Sequence, residues 1–246
     1  MLEDTWYRLA ATNIVIVTDN LESRLPKNVT AIYTSCGLTH ARRDLNCKLN
    51  AAFDLYYRRR TSDLTWFCAF DDDVYVNVPI LNETLSKYKT FEHWYLGKPS
   101  LKQPITVRNH ITGARMRFIF AHGGSGWCIS KKTAQELKPF IENGQFLNES
   151  DQLRTTDDMT VGYLTAYKIG INLTRVEEFR SNGEAHRNLK PEELAGSITL
   201  SARCRGIHMK NCTETVRIPE AKFDTRQDPS RFRSLHCFLY PEMCER

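Results

Sequence analysis

The segment WFCAFDDD, residues 66–73, constrains the fold more than any other part of the chain. Short continuous apolar runs are typical of strands buried on both faces, so Trp66 to Phe70 predict a central strand of a sheet. Three adjacent aspartates end this run. Their mutual repulsion gives folding little reason to cluster them, so we interpret them as holding a cation. A solvated turn, where aspartate is common, is the alternative.

Strand-like and helix-like segments alternate along the rest of the chain. The predicted strands cover 13–20, 28–35, 64–70, 93–100 and the two arms of 115–130, which enclose a glycine turn. The predicted helices cover 41–60, 78–88, 130–142 and 157–170. This order predicts an α/β fold whose sheet is at least partly parallel. Ligands bind at the carboxyl ends of strands in such sheets, which is where the aspartates lie.

The 246 residues are predicted to form one domain, 1–246, because no linker rich in Gly, Pro or Ser marks a boundary. From about residue 190 the alternation gives way to short β-like runs and cysteines, which predicts an appended, β-rich subregion. The net charge of +5 fits either a solvated basic surface or an anionic ligand such as a nucleotide diphosphate. The chain has no long Lys/Arg run with interleaved aromatics, so we do not expect it to bind nucleic acid.

Cysteines and glycosylation sequons indicate the secretory pathway. The eight cysteines include no CxxC pattern, which argues against a zinc ribbon. Five Asn-X-Ser/Thr sequons start at Asn28, Asn82, Asn148, Asn172 and Asn211. Residues 1–4 do not begin a signal peptide, and no apolar stretch approaches the length of a membrane span. Any targeting or membrane-anchoring segment is therefore expected outside this chain.

The aspartates have a specific chemical interpretation. Side chains at i and i+2 of an extended segment point the same way, so Asp71 and Asp73 are predicted to share a face. Together with an anionic diphosphate, two carboxylates can surround Mn²⁺ or Mg²⁺. The adjacent Asp157 and Asp158 begin a predicted helix, where carboxylates are also favoured by the helix dipole alone.

Two further features allow a functional and a structural interpretation. The turn with Gly123, Gly124 and Gly126 either brings the backbone close to a ligand or has only a structural role. Lys98, in the sequence GKPS, contacts a phosphate or is an exposed turn lysine.

Five segments, in this order, resemble the Fringe glycosyltransferases: WFCAFDDDVYVNV, YLGKPSL, GGSGWCIS, DDMTVGY and DPSRFRSLHCFLYP. The resemblance spans nearly the whole chain. It implies transfer of N-acetylglucosamine from UDP-GlcNAc in β-1,3 linkage onto O-linked fucose of Notch-type EGF repeats. It also implies a GT-A fold with a Rossmann-like, mostly parallel mixed sheet flanked by helices, a requirement for Mn²⁺ and a location in the Golgi lumen.

The resemblance also implies roles for single residues. Asp73 matches the principal metal carboxylate of the family, with Asp71 and Asp72 beside it holding metal, ribose or donor sugar. Asp158 matches the proposed catalytic base. Inversion at the anomeric carbon requires such a carboxylate, which takes the proton of the acceptor hydroxyl during attack. The glycine turn, with Gly123 and Gly124, matches a turn beside the donor sugar and the acceptor.

The resemblance implies three disulfides: Cys36–Cys47, Cys68–Cys128 and Cys237–Cys244. Cys204 and Cys212 have no family counterpart. Their spacing suits a bridge across a hairpin between the sequences SITLSAR and TETVRI, so we predict one there.

This chain departs from the family in two ways. Fringe enzymes have a further strand before the segment that starts at Leu2, and its end helps to seat the uridine. Unless residues precede Met1, we expect that element to be missing. The family pattern Phe-His-Ser-His, which supplies a histidine to the cation, reads here as Phe179 to Asn182. Asn182 or His186 is then the candidate replacement ligand, unless metal binding is weakened.

Two other functions fit the sequence. One is a β-1,3-galactosyltransferase, because that broader group shares the aspartate triplet and an acidic pair before a helix. The other is a secreted or lumenal binding protein that keeps the sheet but has lost turnover.

Overall fold

The structure is a computed structural model, and it describes residues 5–20, 25, 29–59, 64–181, 184–201 and 216–244. These residues form ten strands and seven α-helices. The strands are β1 (Val15–Thr18), β2 (Thr30–Tyr33), β3 (Trp66–Ala69), β4 (Val74–Val76), β5 (Tyr95–Gly97), β6 (Ile105–Arg108), β7 (Arg115–Phe118), β8 (Trp127–Ser130), β9 (Thr174–Arg175) and β10 (Thr199–Ser201). The helices are α1 (Arg42–Arg58), α2 (Val78–Ser86), α3 (Lys131–Leu137), α4 (Gln145–Leu153), α5 (Asp157–Tyr163), α6 (Pro191–Ala195) and α7 (Phe232–Leu239). A π-helical segment, Leu164–Lys168, extends α5.

The mixed α/β class predicted from the sequence is confirmed, but a mostly parallel sheet is wrong for the described strands. Only β1–β2 and β5–β9 are parallel pairs, whereas the pairs β3–β8, β5–β8, β4–β10 and β6–β7 are antiparallel. A parallel pair needs a long crossover, usually a helix. Between β5 and β8 the chain instead returns through the β6–β7 hairpin and the glycine turn, so β8 enters the sheet in the opposite direction.

The four-stranded sheet has the order β3-β8-β5-β9, so β3 is an edge strand among the described residues and not the central strand predicted. The prediction that both faces of β3 are covered fits better. Phe67 packs into a hydrophobic cluster on one side of the sheet, and Trp66 and Cys68 pack against a cluster on the other side. The side chains alternate between faces because the strand period is two.

Helices cover the first side of this sheet. In α1 the buried residues Leu49, Phe53 and Tyr56 recur at helical spacing, which is why the sequence predicts this helix well. Phe53 is fully buried and stacks on Phe67 with ring centroids 4.4 Å apart. Burying a side chain of this size stabilises the fold by roughly 1.5–3 kcal/mol. The opposite side of the sheet is covered by α2, β4, β10 and α7.

The C-terminal part of the chain differs from the predicted β-rich subregion. After residue 190 the described residues contain the helices α6 and α7 and a single strand, β10. Cys204 and Cys212 lie outside the described residues. The helix α7 is held on β4, since the Tyr75 hydroxyl lies 2.8 Å from Nδ1 of the buried His236. This contact fixes the strand that follows the aspartates.

The three disulfides implied by the resemblance are present: Cys36–Cys47, Cys68–Cys128 and Cys237–Cys244. Cys68 and Cys128 face each other directly in the β3–β8 pair. Their bridge closes a loop with a sequence separation of 60 residues. Restricting the unfolded chain in this way is worth about 4 kcal/mol. None of the helices that the structure describes has the length and apolar character needed to cross a membrane.

Candidate active site

Three segments with candidate residues meet at one edge of the four-stranded sheet. In its register Ala69 pairs with Trp127, Trp127 with Gly97, and Gly97 with Arg175. The aspartate triplet begins two residues after Ala69, the glycine turn precedes Trp127, and Lys98 follows Gly97. The strand register thus brings the triplet, the glycine turn and Lys98 to the same edge.

The aspartate triplet forms a turn between β3 and β4. The Val74 N–H donates a hydrogen bond to the Asp71 carbonyl at 3.3 Å, and Asp72 and Asp73 lie inside this turn. The segment is therefore not extended, and the i, i+2 argument for a shared face of Asp71 and Asp73 does not apply. Asp71 and Asp72 are exposed, whereas Asp73 is partly buried and its Oδ1 atom is inaccessible to solvent.

Asp158 lies in the first turn of α5 and is held by three hydrogen bonds. Its Oδ2 atom accepts from the Gly123 N–H at 3.1 Å. Its Oδ1 atom accepts from the Thr156 hydroxyl at 2.6 Å and from the Met159 N–H at 2.8 Å. Thr156 occupies the N-cap position as predicted, although its hydroxyl bonds to Asp158 and not to the helix backbone. These contacts fix the carboxylate against the glycine turn.

Asp157 connects the first turn of α5 electrostatically to the triplet. Removal from water, together with the negative charges of Asp158 and Asp71, raises the pKa of Asp157 to about 7. Burial is the larger cause, and the additional effects of Asp158 and Asp71 mean that their charges lie within electrostatic range of Asp157. Asp71, Asp157 and Asp158 therefore belong to one acidic cluster at the sheet edge.

The glycine turn closes tightly on its neighbours. Gly126 has φ +74° and ψ 165°, a conformation open essentially to glycine alone. A Cβ atom there would lie 2.2 Å from Cδ1 of Phe70, the residue before the triplet. Thr199 of β10 donates its hydroxyl hydrogen bond to the Ser125 carbonyl at 2.7 Å. The turn is thus packed between the triplet, α5 and β10.

Lys98 differs from the exposed turn lysine considered in the sequence. Its side chain is only 16% exposed, and Nζ lies 2.9 Å from Glu184 and 3.5 Å from Glu177. Glu184 also accepts a hydrogen bond from the Ser181 N–H at 2.7 Å. Burial works against the ionised form of Glu184, but Lys98 and Ser181 outweigh it and lower the pKa of this carboxyl. A phosphate at Lys98 would have to compete with two carboxylates.

The two candidate replacements for the family histidine have different positions. Asn182 lies outside the described residues. His186 is 1% exposed, and its ring interacts with the backbones of Ser181 and Ser201. Burial lowers the pKa of His186, which keeps the imidazole neutral. Ser201 pairs with Val74, the residue after Asp73, so the ring and the triplet flank the same strand pair.

The sequence interpretation missed two features of this edge. It treated Asp157 only as a helix-dipole residue, because nothing in the local pattern shows that Asp71 lies near it. It also missed the pairing of Lys98 with Glu184, for which the sequence carries no signal. Two surface cavities of about 340 and 290 Å³ lie elsewhere, beside Cys237 and beside Phe91, and none of the candidate site residues lines them.

Comparison with known proteins identifies related chains. A family model described as Fringe-like matches residues 1–243. The chain is 36% identical over 246 residues to "Beta-1,3-N-acetylglucosaminyltransferase lunatic fringe" of Xenopus laevis, covering 98% of this chain and 64% of the relative. It is 34% identical to "Fringe glycosyltransferase" of Drosophila melanogaster, covering 96% of this chain and 57% of the relative. For human manic fringe the identity is 34%, covering 98% of this chain and 74% of the relative. The chain thus spans less than two thirds of the lunatic fringe and Drosophila proteins.

Proposed function

Because the chain belongs to the Fringe family, we propose that it transfers N-acetylglucosamine from UDP-GlcNAc in β-1,3 linkage onto O-linked fucose of EGF-type repeats. The observation that carries this proposal is the acidic cluster of Asp71, Asp157 and Asp158 beside the glycine turn. A GT-A arrangement and a Golgi location belong to the same proposal. The three disulfides support an oxidising, secretory compartment for the protein.

In this proposal Asp158 is the general base. Its carboxylate takes the proton of the acceptor hydroxyl as that oxygen attacks the anomeric carbon from the face opposite the departing UDP. The hydrogen bonds from Gly123 and Thr156 hold the carboxylate in one orientation, so part of the ordering is complete before substrate arrives. A positioned base of this kind contributes about 10²- to 10⁴-fold to the rate.

The residues at the sheet edge fit a divalent cation. Three adjacent carboxylates end a strand, and burial together with the charges of Asp158 and Asp71 raises the pKa of Asp157 well above the usual range, so positive charge is favoured there. Asp73 and Asp71 would hold Mn²⁺ or Mg²⁺, with Asp72 on the ribose or donor sugar. When bound, the cation neutralises the diphosphate and favours departure of UDP. Within the described residues no three potential ligands already converge on one point, so in this proposal diphosphate oxygens complete the coordination.

We favour His186 over Asn182 as the metal ligand that replaces the family histidine. Its ring is buried beside β10, it is held neutral, and neutral imidazole is the form that binds a metal. Gly123 and Gly124 would then line the donor sugar. Lys98 would approach the diphosphate only by giving up part of its contact with Glu184.

Transfer assays on an O-fucosylated EGF-type repeat test this function. The protein is incubated with UDP-GlcNAc or UDP-galactose, with Mn²⁺ or with EDTA, and the repeat is weighed by mass spectrometry. We expect a gain of one N-acetylhexosamine only with UDP-GlcNAc and Mn²⁺. A gain of hexose from UDP-galactose supports the galactosyltransferase instead. Binding of UDP without turnover of either donor supports the lumenal binding protein.

A further inference from the structure

The β6–β7 hairpin carries three arginines on its outer face. Arg108 on β6 and Arg115 and Arg117 on β7 are exposed, while the side chains that alternate with them on the inner face of β7 are buried. In the register Arg108 lies directly opposite Arg115, and Arg117 lies opposite Thr106. The hairpin therefore concentrates three positive charges within two rungs of one small sheet.

This arrangement does nothing for the stability of the hairpin. Like charges directly opposite each other on a sheet destabilise it, and none of the three arginine side chains forms an ion pair with any other described residue. Other exposed basic residues of the chain do find such partners, for example Lys87 with Glu83 and Lys138 with Glu142. Within the part of the chain that the structure describes, the outer face of the hairpin is thus a concentration of positive charge without an acidic partner.

The same face continues toward the candidate active site. Beyond Arg117 the alternation places Ile119 outward, 37% exposed, and the glycine turn begins at Gly123. Gly123 follows Arg117 by six positions, a span of at most roughly 20 Å. Arginines 108, 115 and 117 with Ile119, which we call the hairpin face, therefore lie within the footprint of one protein partner that also reaches the active site.

The hairpin is anchored to the helix that carries Asp158. A Cβ atom on Gly162 of α5 would lie 2.3 Å from Cβ of Phe120, so the helix and the segment after β7 approach each other closely. Phe118 contacts Tyr163 with ring centroids 6.1 Å apart, and the Tyr167 hydroxyl accepts a hydrogen bond from the Arg117 N–H at 2.7 Å. The hairpin face and the candidate base thus keep a fixed spacing.

We propose that the hairpin face docks an acidic surface of the folded acceptor repeat while the sugar of that repeat reaches Asp158. This inference rests on the proposed function and adds to it the chemistry of the partner surface. Complementary charge speeds encounter and fixes the orientation of two proteins. A protein partner is favoured over a sulfated polysaccharide because the face includes the apolar Ile119 and leads directly to the active site.

Charge reversal tests the inference. The hairpin variant carries Arg108→Glu, Arg115→Glu and Arg117→Glu, and the control carries Arg58→Glu, Arg217→Glu and Arg226→Glu, which are exposed and change the net charge equally. Transfer is measured with an acidic O-fucosylated EGF-type repeat and with a small fucoside. At low salt we expect KM for the repeat to be about tenfold or more higher in the hairpin variant than in the wild type. We expect kcat, and KM for the fucoside, to be unchanged. The control should stay within about twofold, and 0.5 M NaCl should remove most of the difference.

A second hairpin variant carries Arg108→Lys, Arg115→Lys and Arg117→Lys, which keeps the charge and should keep the low KM. Unfolding curves and Mn²⁺-dependent UDP binding confirm that each variant is folded. An unchanged KM for the repeat, or an equal rise in the control, overturns the inference. The inference is also overturned if the hairpin variant loses heparin binding while its KM for the repeat stays constant. If the wild-type protein transfers to neither acceptor, the proposed function fails, and calorimetry of the repeat with both variants still tests the docking surface.

Discussion

Asp158 accepts a hydrogen bond from the backbone N–H of Gly123 at 3.1 Å, which ties the first turn of α5 to the glycine turn. A Cβ atom on Gly123 would lie only 3.3 Å from the same carboxylate oxygen. The two residues are 35 positions apart in sequence, and along the chain the glycine turn precedes β8 whereas α5 follows it. Their contact holds the candidate base at the sheet edge where the aspartate triplet ends β3.

The substitution Asp158→Asn removes the proton acceptor and keeps the shape. Because an amide presents one acceptor oxygen, either Gly123 or Met159 loses its hydrogen bond, at a cost of about 1 kcal/mol. We expect kcat to fall about 10²- to 10⁴-fold while Mn²⁺-dependent UDP binding persists. Single-turnover transfer and UDP titration measure the two effects. The matched control is Asp151→Asn, in which an exposed carboxylate loses its surface ion pairs with Arg42 and Arg43. Wild-type kcat in the Asp158 variant would exclude it as the base.

The glycine turn offers a paired test of backbone strain and crowding. Gly126→Ala places a Cβ atom against Phe70 in a conformation open essentially to glycine, so we expect a loss of about 3 kcal/mol or more in the free energy of unfolding. Gly144→Ala has a similar φ of +77° but no neighbour within 4 Å, so it should lose only about 1–2 kcal/mol. Urea denaturation compares them. Because Phe70 precedes Asp71, only Gly126→Ala should also weaken UDP binding. Equal losses of stability would contradict the crowding at Phe70.

The raised pKa of Asp157 gives a pH-dependent effect on stability. Its folded pKa of about 7 exceeds the usual 3.8, so the fold favours the protonated form. The contribution of Asp157 to the free energy of unfolding is then fully present below about pH 4. It declines as pH rises toward 7, at roughly 1.4 kcal/mol per pKa unit. Asp157→Asn removes this decline. In EDTA we expect the variant to be more stable than wild type at pH 8 by a few kcal/mol, with the gain vanishing near pH 4. A difference that is independent of pH would contradict the assignment.

His186 is tested by direct metal binding. We expect His186→Ala to weaken Mn²⁺ binding in the presence of UDP by roughly tenfold or more, because even residues that only orient metal ligands contribute that much. The electron paramagnetic resonance signal of free Mn²⁺ reports the binding without any need for turnover. His93→Ala, in which an exposed histidine loses its contact with Glu136, is the control. If Mn²⁺ binding is weakened in Asn182→Ala but unchanged in His186→Ala, the ligand is Asn182 instead.

Local patterns predicted the elements whose burial follows from their own periodicity. The amphipathic spacing of Leu49, Phe53 and Tyr56 predicts α1, and Thr156 and Gly170 predict where the segment after Asp157 begins and ends. The β6 strand and α4 were not predicted, because their alternation and helical spacing are short and interrupted by polar residues.

Long-range pairing decided what the sequence could not predict. The edge position of β3 and the reversed direction of β8 depend on partners far along the chain. The turn at Asp71 looked extended because apolar strands flank it, and only the Asp71–Val74 hydrogen bond shows the reversal. The burial of Lys98 against Glu184 likewise joins segments that carry no common pattern.

Calorimetric titration of UDP into the protein with Mn²⁺ tests the central claim, that a cation and a sugar nucleotide bind at Asp73. We predict saturable binding with Mn²⁺, no binding in EDTA and none for Asp73→Ala, while Asp158→Asn binds as wild type does. Equal binding with and without Mn²⁺, or no binding by wild-type protein with an intact unfolding transition, would contradict the account.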